Sequence, residues 1–249
     1  MIRDFIIPGV LAYIGANSLA LGSSLYSSQY GEVNKPNGKV SIILPSLSID
    51  SYLIDNVMDS IFKSNVVMEY PDSFEYILVT DPSFNEFGDF DYFDKIIKAP
   101  LGKLTARDMA IKQSSGDIIV AIDADRVYNR NWLNEMVKPF NDNDVVGTTS
   151  FIVYSFITTP FDVIPKLAYY SSKMDGGGSA FRKDAYLKVG GFNLNIDQLD
   201  WNWMIQEEEI LFKKKLERVG KVVFVPIPNY AIPRLSTPKR LVIEQNKNV

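Results

Sequence analysis

The sequence predicts an α/β protein, with a Rossmann-like, mixed but mainly parallel sheet and helices on both faces. Three observations carry this. From residue 40 onward, strand-like and helix-like segments alternate in the order β-α-β-loop-β-α-β. The strand-like segments are nearly unbroken apolar runs (VSIIL at 40–44, YILVT at 76–80, DIIVAI at 117–122), as strands buried on both faces are. The chain has 249 residues, 46% of them hydrophobic and 12% aromatic, enough for one large or two small folded domains.

Composition removes several chemistries. Cysteine is absent, so no disulfide, thiolate metal site or cysteine nucleophile exists. Histidine is absent too, which excludes Ser-His-Asp catalysis, zinc-type histidine ligation and a histidine base. Any metal must therefore be held by oxygen, which favours Mg2+ or Mn2+. Any general base must be Asp, Glu, Lys or Tyr. The formal charge of −4 argues against non-specific nucleic-acid binding, and no nucleic-acid partner is expected.

Taken in order, residues 5–26 contain no charged side chain and are long enough to cross a bilayer as a helix, although Pro8, Gly9, Gly15, Asn17 and Gly22 interrupt them. Three readings stay open: a membrane anchor or interfacial segment, an apolar helix packed on the folded domain, and a cleaved signal peptide. With the anchor, the protein would sit on the cytoplasmic face of a membrane. Residues 29–39 are polar and rich in Pro, Gly and Asn, a linker pattern. The expected division is an N-terminal segment and linker at 1–38, a folded domain at 39–230 and a basic tail at 231–249 carrying Arg234, Lys239 and Arg240.

Within the domain, the 40–44 strand is stopped by Pro45, and a helix with apolar residues at 53, 54, 57, 58, 61 and 62 covers 53–64. The strand at 76–80 is closed by Asp81-Pro82-Ser83, and a Phe/Asp-rich loop leads to a short strand at 95–98. In the stretch 102–125, a helix carrying Leu104, Met109, Ala110 and Ile111 is stopped by Ser114-Ser115-Gly116, with the glycine read as a helix C′ residue. The strand at 117–122 follows, and then Asp123-Ala124-Asp125. Two carboxylates leaving the carboxyl end of a buried strand stand where open α/β sheets bind ligands; the same residue type also caps turns and helices. Further on come a helix at 132–140, a strand at 145–154, a glycine turn at 176–178 entering a short strand, a helix at 184–189, and an acidic-then-basic helix at 207–219. Gly220 ends that helix and a last strand covers 222–225.

Five pieces of this chain together resemble the family 2 glycosyltransferases, which use the GT-A fold: VSIILPS at 40–46, YILVTDPS at 76–83, TARDMAIKQSSGDIIVAIDAD at 105–125, GGGSAFRKDAYLKVGGFN at 176–193 and EEEILFKKKLERVG at 207–220. The resemblance covers roughly 39–226. It implies transfer of a single sugar from a nucleotide-diphosphate sugar to a hydroxyl or lipid-phosphate acceptor, with inversion and with help from Mn2+ or Mg2+. The acceptor class is a glycan, protein or lipid. Asp125 is implied as the direct metal ligand. Asp123 is implied at the ribose or at a metal-bound water. Pro45, Ser46 and Asp81 are implied at the nucleoside, Arg107 near the nucleotide, and Gly177 and Gly178 where backbone approaches the sugar.

The catalytic base aligns with Glu209, with Glu208 as the alternative; most relatives have Asp at the Glu209 position. An acidic first helical turn interacting with the helix dipole would explain the same glutamates without catalysis. The Gln-x-x-Arg-Trp motif of processive synthases does not follow Glu209, which implies single transfer. Thr80 stands where the family more often has an acidic residue. Together with Glu209 it motivates a second hypothesis, a non-catalytic scaffold of the same fold that binds nucleotide sugar or glycan. A nucleotidyltransferase is disfavoured because no glycine-rich loop follows the first strand at 45–50.

Overall fold

Parallel strands with apolar side chains on both faces need a layer of helices on each side. The computed structural model describes residues 32–47, 52–84, 90–100, 102–153, 160–195 and 202–232. The strands are β1 Val40–Pro45, β2 Phe74–Thr80, β3 Lys95–Lys98, β4 Ile118–Ile122, β5 Arg126–Tyr128, β6 Val145–Val153, β7 Gly178–Arg182 and β8 Lys221–Ala231. The helices are α1 Ile54–Phe62, α2 Asn65–Glu69, α3 Lys103–Gln113, α4 Trp132–Val137, α5 Pro160–Ser171, α6 Lys183–Lys188 and α7 Asn202–Leu216. One sheet joins all these strands in the order β3-β2-β1-β4-β7-β6-β8-β5. The β3-β2-β1-β4 half is parallel, whereas β7 is antiparallel to both β4 and β6. The mixed, helix-covered α/β sheet expected from the sequence is the one observed.

Alternation along the strands divides the core. Ile42, Leu44, Ile118, Val120 and Ile122 face α1 and α4, meeting Ile54, Val57, Met58, Trp132 and Met136. Ile43, Ile77, Val79 and Ile119 face the other way, onto Ala110 and Ile111 of α3, Tyr186 of α6, and Phe212 and Leu216 of α7. A fully buried Ile or Leu contributes about 1.5–3 kcal/mol. The two helical layers therefore hold the parallel half together, more than strand propensity does.

Several expectations need correction. Gly116 does not take a left-handed helix-ending conformation, because α3 ends into extended backbone at Ser114. Glycine is required there by close approach: a Cβ would stand 2.5 Å from Ser41 Oγ and 2.6 Å from Ser41 N. The acidic helix begins at Asn202, so Glu207, Glu208 and Glu209 lie beyond its first turn and the dipole reading loses its basis. The last strand does not stop at 225 but runs through Pro226 and Pro228 to Ala231. Proline donates no ladder hydrogen bond, and the register against β6 shifts between Thr149 and Phe151 where these prolines pass. The short elements α2 and β5, and α5, were not expected. The expected linker is partly anchored: Asn34 N–H donates to Asn134 Oδ1 at 3.1 Å, and Asn134 Nδ2 donates to Glu32 O at 2.8 Å.

No helix among the described residues is long and apolar enough to cross a membrane. The apolar stretch 5–26 and the basic residues of the tail lie outside the described residues.

A buried polar cluster closes the amino end of the sheet. Glu75 accepts hydrogen bonds from Ser41 Oγ, from Lys95 Nζ at 2.8 Å and from Ser115 N–H at 2.8 Å, while Ser41 Oγ accepts from Gly116 N–H at 2.8 Å. Burial opposes the Glu75 charge, but Lys95, Ser41 and Ser115 outweigh it and bring the carboxyl from 4.5 to about 2. A lowered carboxyl stabilises the fold above its ordinary range and loses that contribution as pH falls. The stability advantage of wild type over Glu75→Gln is thus expected to be full above pH 4.5 and to vanish towards about 2, as read by urea denaturation across pH. In the same assay Gly116→Ala should cost about 1–3 kcal/mol through overpacking against Ser41.

Candidate active site

The apolar run of β4 ends at Ile122, and Asp123 and Asp125 leave the carboxyl edge of the sheet beside the ends of β1 and β2. Asp123 is 5% exposed. Arg107 Nη2 lies 2.7 Å from its carboxylate, Lys103 Nζ 2.8 Å and Arg126 Nη2 3.0 Å. Burial opposes ionisation, but Lys103, Arg126 and Arg107 outweigh it and hold the carboxyl well below the usual range.

These cations explain the inner face of α3. Arg107 and Asp108 are buried alongside Leu104, Ala110 and Ile111, so the helix turns charges inward. Arg107 reaches Asp123, and Asp108 accepts from Tyr186 Oη at 2.9 Å. Arg126 comes from β5, which is held antiparallel to β8. Two residues on, Tyr128 Oη accepts the Asp123 N–H at 3.0 Å and donates to Gly177 O at 2.6 Å.

Charge alternation continues across the sheet. Arg126 also pairs with Asp175 and donates to Asn229 Oδ1 at 3.2 Å. Asp175 lies 3.5 Å from Lys173 Nζ, and Lys173 Nζ lies 2.7 Å from Glu209 Oε2. Lys103, Arg107, Arg126 and Lys173 thus alternate with Asp123, Asp175 and Glu209 in one network. The Nε–H groups of Arg107 and Arg126 have no hydrogen-bond partner among the described residues.

The glycines at 176–178 make this approach feasible. A Cβ on Gly177 would collide with the Asp123 carboxylate and stand 2.7 Å from Arg126 Cζ. One on Gly176 would stand 2.6 Å from both Arg107 Nη1 and Glu209 Oε1. Gly178 is similarly crowded by Asp175, Asn229 and Ser150. Backbone here packs against site side chains, whereas the resemblance implied a role only towards the sugar.

Glu208 and Glu209 diverge. Glu209 Oε1 accepts the Gly176 N–H at 2.8 Å. Burial and the neighbouring Asp175 push its carboxyl up, against the opposing pull of Lys173. Glu208 is 1% exposed. Its Oε1 accepts the Asn193 N–H at 2.8 Å, and its Oε2 has no partner among the described residues. Both glutamates, with Arg107, Gly176, Phe181 and Phe212, line one cavity.

Pro45 ends β1 and Ser46 follows it, its N–H donating to Val79 O at 2.8 Å. Asp81 follows β2 and accepts from Ser83 N–H at 3.0 Å and from Ser83 Oγ. Asp125 is half-buried, and its carbonyl accepts the Ile232 N–H at 2.7 Å. Among the described residues no three or more carboxylates gather into a metal cage. Arg126, Tyr128, Lys173, Asp175 and Asn229 were not reached from the sequence. Arg126 next to Asp125 and Asp175 next to the glycines were the available signals; Lys173 had none.

A mixed, helix-covered sheet with paired acids at the carboxyl edge of its parallel half defines the class: the GT-A fold. The chain belongs to glycosyl transferase family 2, whose sequence profile matches residues 41–194, more than half of the chain. It is similar to a glucosyl-dolichyl phosphate glucuronosyltransferase of Haloferax volcanii, with 21% identity over 181 residues, 63% of this chain and 56% of the relative. The chain therefore aligns with little over half the length of that relative.

Two solved structures share the fold. The mannosyltransferase PcManGT from Pyrobaculum calidifontis, in complex with GDP-Man and Mn2+, has a TM-score of 0.61 and 19% identity over 95% of this chain and 70% of its own. GalNAc-T7 with UDP, GalNAc and Mn2+ has a TM-score of 0.60 and 16% identity over 83% and 45%.

Removing the charge at the centre isolates its role. Asp123→Asn leaves Lys103, Arg107 and Arg126 crowded around a neutral amide. Breaking a buried pair from one side costs about 3–5 kcal/mol, and denaturant unfolding should show a loss of that size.

Proposed function

We propose that this protein transfers a single sugar from a nucleoside-diphosphate sugar to an acceptor by one displacement with inversion. The observation that carries the reading is the meeting at Gly176. Arg107 of the Asp123 cluster and Glu209 of α7 flank one small volume, although they are 102 residues apart in the chain. A site for negative charge and a carboxylate with raised proton affinity thus share a wall.

Pro45, Ser46 and Asp81 line the nucleoside end, and Asp123 orients the ribose. Lys103, Arg107 and Arg126 take the diphosphate and stabilise its departure. Gly177 and Gly178 let the sugar lie against backbone. Glu209 accepts the acceptor proton, which its upward-shifted carboxyl favours near neutral pH. Glu208, pinned to Asn193, is the alternative base.

A divalent cation would be a hard, oxygen-bound ion held by Asp125, half-buried at the sheet edge; Asp123 is already engaged by three cations and suits orientation better than ligation. When bound, Mn2+ or Mg2+ would neutralise charge on the leaving diphosphate. The Mn2+ in the PcManGT and GalNAc-T7 structures supports this reading. The name of the Haloferax relative puts lipid-linked sugars among the acceptors to test, beside glycans and proteins. The apolar stretch 5–26 would serve such an acceptor by membrane association on the cytoplasmic face.

The test is a thermal-shift and turnover panel of UDP and GDP sugars with and without Mn2+. Stabilisation should require metal for at least one donor and be lost in Asp125→Ala. Glu209→Gln should keep donor stabilisation while kcat falls about 10²–10⁴-fold. Donor binding without turnover across hydroxyl, protein and lipid-phosphate acceptors would favour the scaffold instead.

A further inference from the structure

Glu209 is held by the short segment that follows α5. Met174 N–H donates to the Glu209 carbonyl at 3.1 Å, and Gly176 N–H donates to Oε1 at 2.8 Å. Lys173 Nζ takes Oε2 at 2.7 Å. The Lys173 ammonium is itself enclosed. It lies 4.9 Å from the ring centroids of both Tyr169 and Tyr170 and 3.5 Å from Asp175, and the residue is only 5% exposed. A lysine so buried keeps its charge only through partners.

The charged groups facing Glu209 are Lys173 and Asp175 from this segment, Lys103 and Arg107 from α3, and Glu208 from its own helix. Lys103 and Arg107 are engaged by Asp123, and Asp175 by Arg126. Lys173 is therefore the cation paired directly with the Glu209 carboxylate, at 2.7 Å.

We propose that Lys173 is a positioning residue: it fixes the Glu209 carboxylate at the wall shared with Arg107 and sets the pH at which that carboxylate takes a proton. The kinetic half of this rests on Glu209 being the base; the electrostatic half does not. Without the ammonium, Glu209 keeps its burial and its repulsion from Asp175, so its proton affinity rises. An opposite charge at this distance moves a carboxyl by about 1–3 pH units.

The first test needs no substrate. The Glu209 side-chain carbon resonance, assigned by its loss in Glu209→Gln, is titrated in the free protein. Its midpoint should rise by about 1–3 units in Lys173→Met and stay near wild type in Lys173→Arg. Equal midpoints in wild type and Lys173→Met overturn the proposal whether or not the enzyme turns over. If Lys173→Met does not fold, the wild type decides: the Lys173 Nζ nitrogen shift must follow the Glu209 titration, and an independent response overturns the proposal.

The second test is the pH profile of donor consumption. Its acid limb should move up with the resonance in Lys173→Met and be restored in Lys173→Arg. A moved resonance with an unmoved acid limb removes Glu209 from the role of base and leaves the electrostatic proposal standing. A purely structural lysine would change stability and leave both midpoints in place.

Discussion

The structure depends on one buried anion. Asp123 sits at the end of the central strand with three cations around it. An isolated carboxylate there would cost several kcal/mol, and it persists because each oxygen is matched by opposite charge. The cations come from two elements, Lys103 and Arg107 from α3 and Arg126 from β5. Satisfying Asp123 therefore fixes both elements against the sheet edge. Arg126 passes the constraint to Asp175, Lys173 and finally Glu209, so a chain of alternating charge links the central strand to α7.

That chain shapes what surrounds it. The backbone at 176–178 must run within contact distance of Asp123, Arg126, Arg107 and Glu209, and only glycine leaves room. Helix α3 carries Arg107 and Asp108 on its buried face, which blurs the apolar stripe expected of a helix covering a sheet. The opposite end of the sheet solves a similar problem separately. There Glu75 is neutralised by Lys95 and satisfied by Ser41 and Ser115. Apolar helical layers hold the middle of the sheet, and compensated charge occupies both ends.

In functional terms the chain of charge separates two tasks across Gly176. On one side, Lys103, Arg107 and Arg126 gather positive charge around Asp123, where the proposed function places the diphosphate. On the other, burial and Asp175 raise the proton affinity of Glu209, while Lys173 limits the rise. In the proposed reaction the leaving group would depart with negative charge at one wall while a proton is taken up at the other, and the reacting carbon would lie between them. Its parts are preorganised by the same ion pairs that stabilise the fold.

Much of the parallel half could be read from sequence. Strands such as Ile118–Ile122 announce themselves because both faces are apolar, and Asp123 and Asp125 are visible because polarity changes abruptly where that run ends. The glycines at 176–178 and the acids at 207–209 were visible as patterns, and the resemblance gave them roles. The three-residue strand carrying Arg126 and Tyr128 was not readable, since its stability comes from pairing with residues 229–231 about 100 positions away. Nor was β8 beyond Pro226, where the irregular register against β6 and the lack of a β5 partner before Asn229 make proline tolerable.

By itself, then, the sequence determined the sheet type, the place of the strand-end acids and the exclusion of histidine and cysteine chemistry, because these follow from local periodicity and composition. Tertiary structure alone decided that Asp123 is saturated by cations, that Gly176 separates Arg107 from Glu209, and that Lys173 reaches Glu209. Whether a charge is buried, and what neutralises it, depends on groups brought together only when distant segments pack.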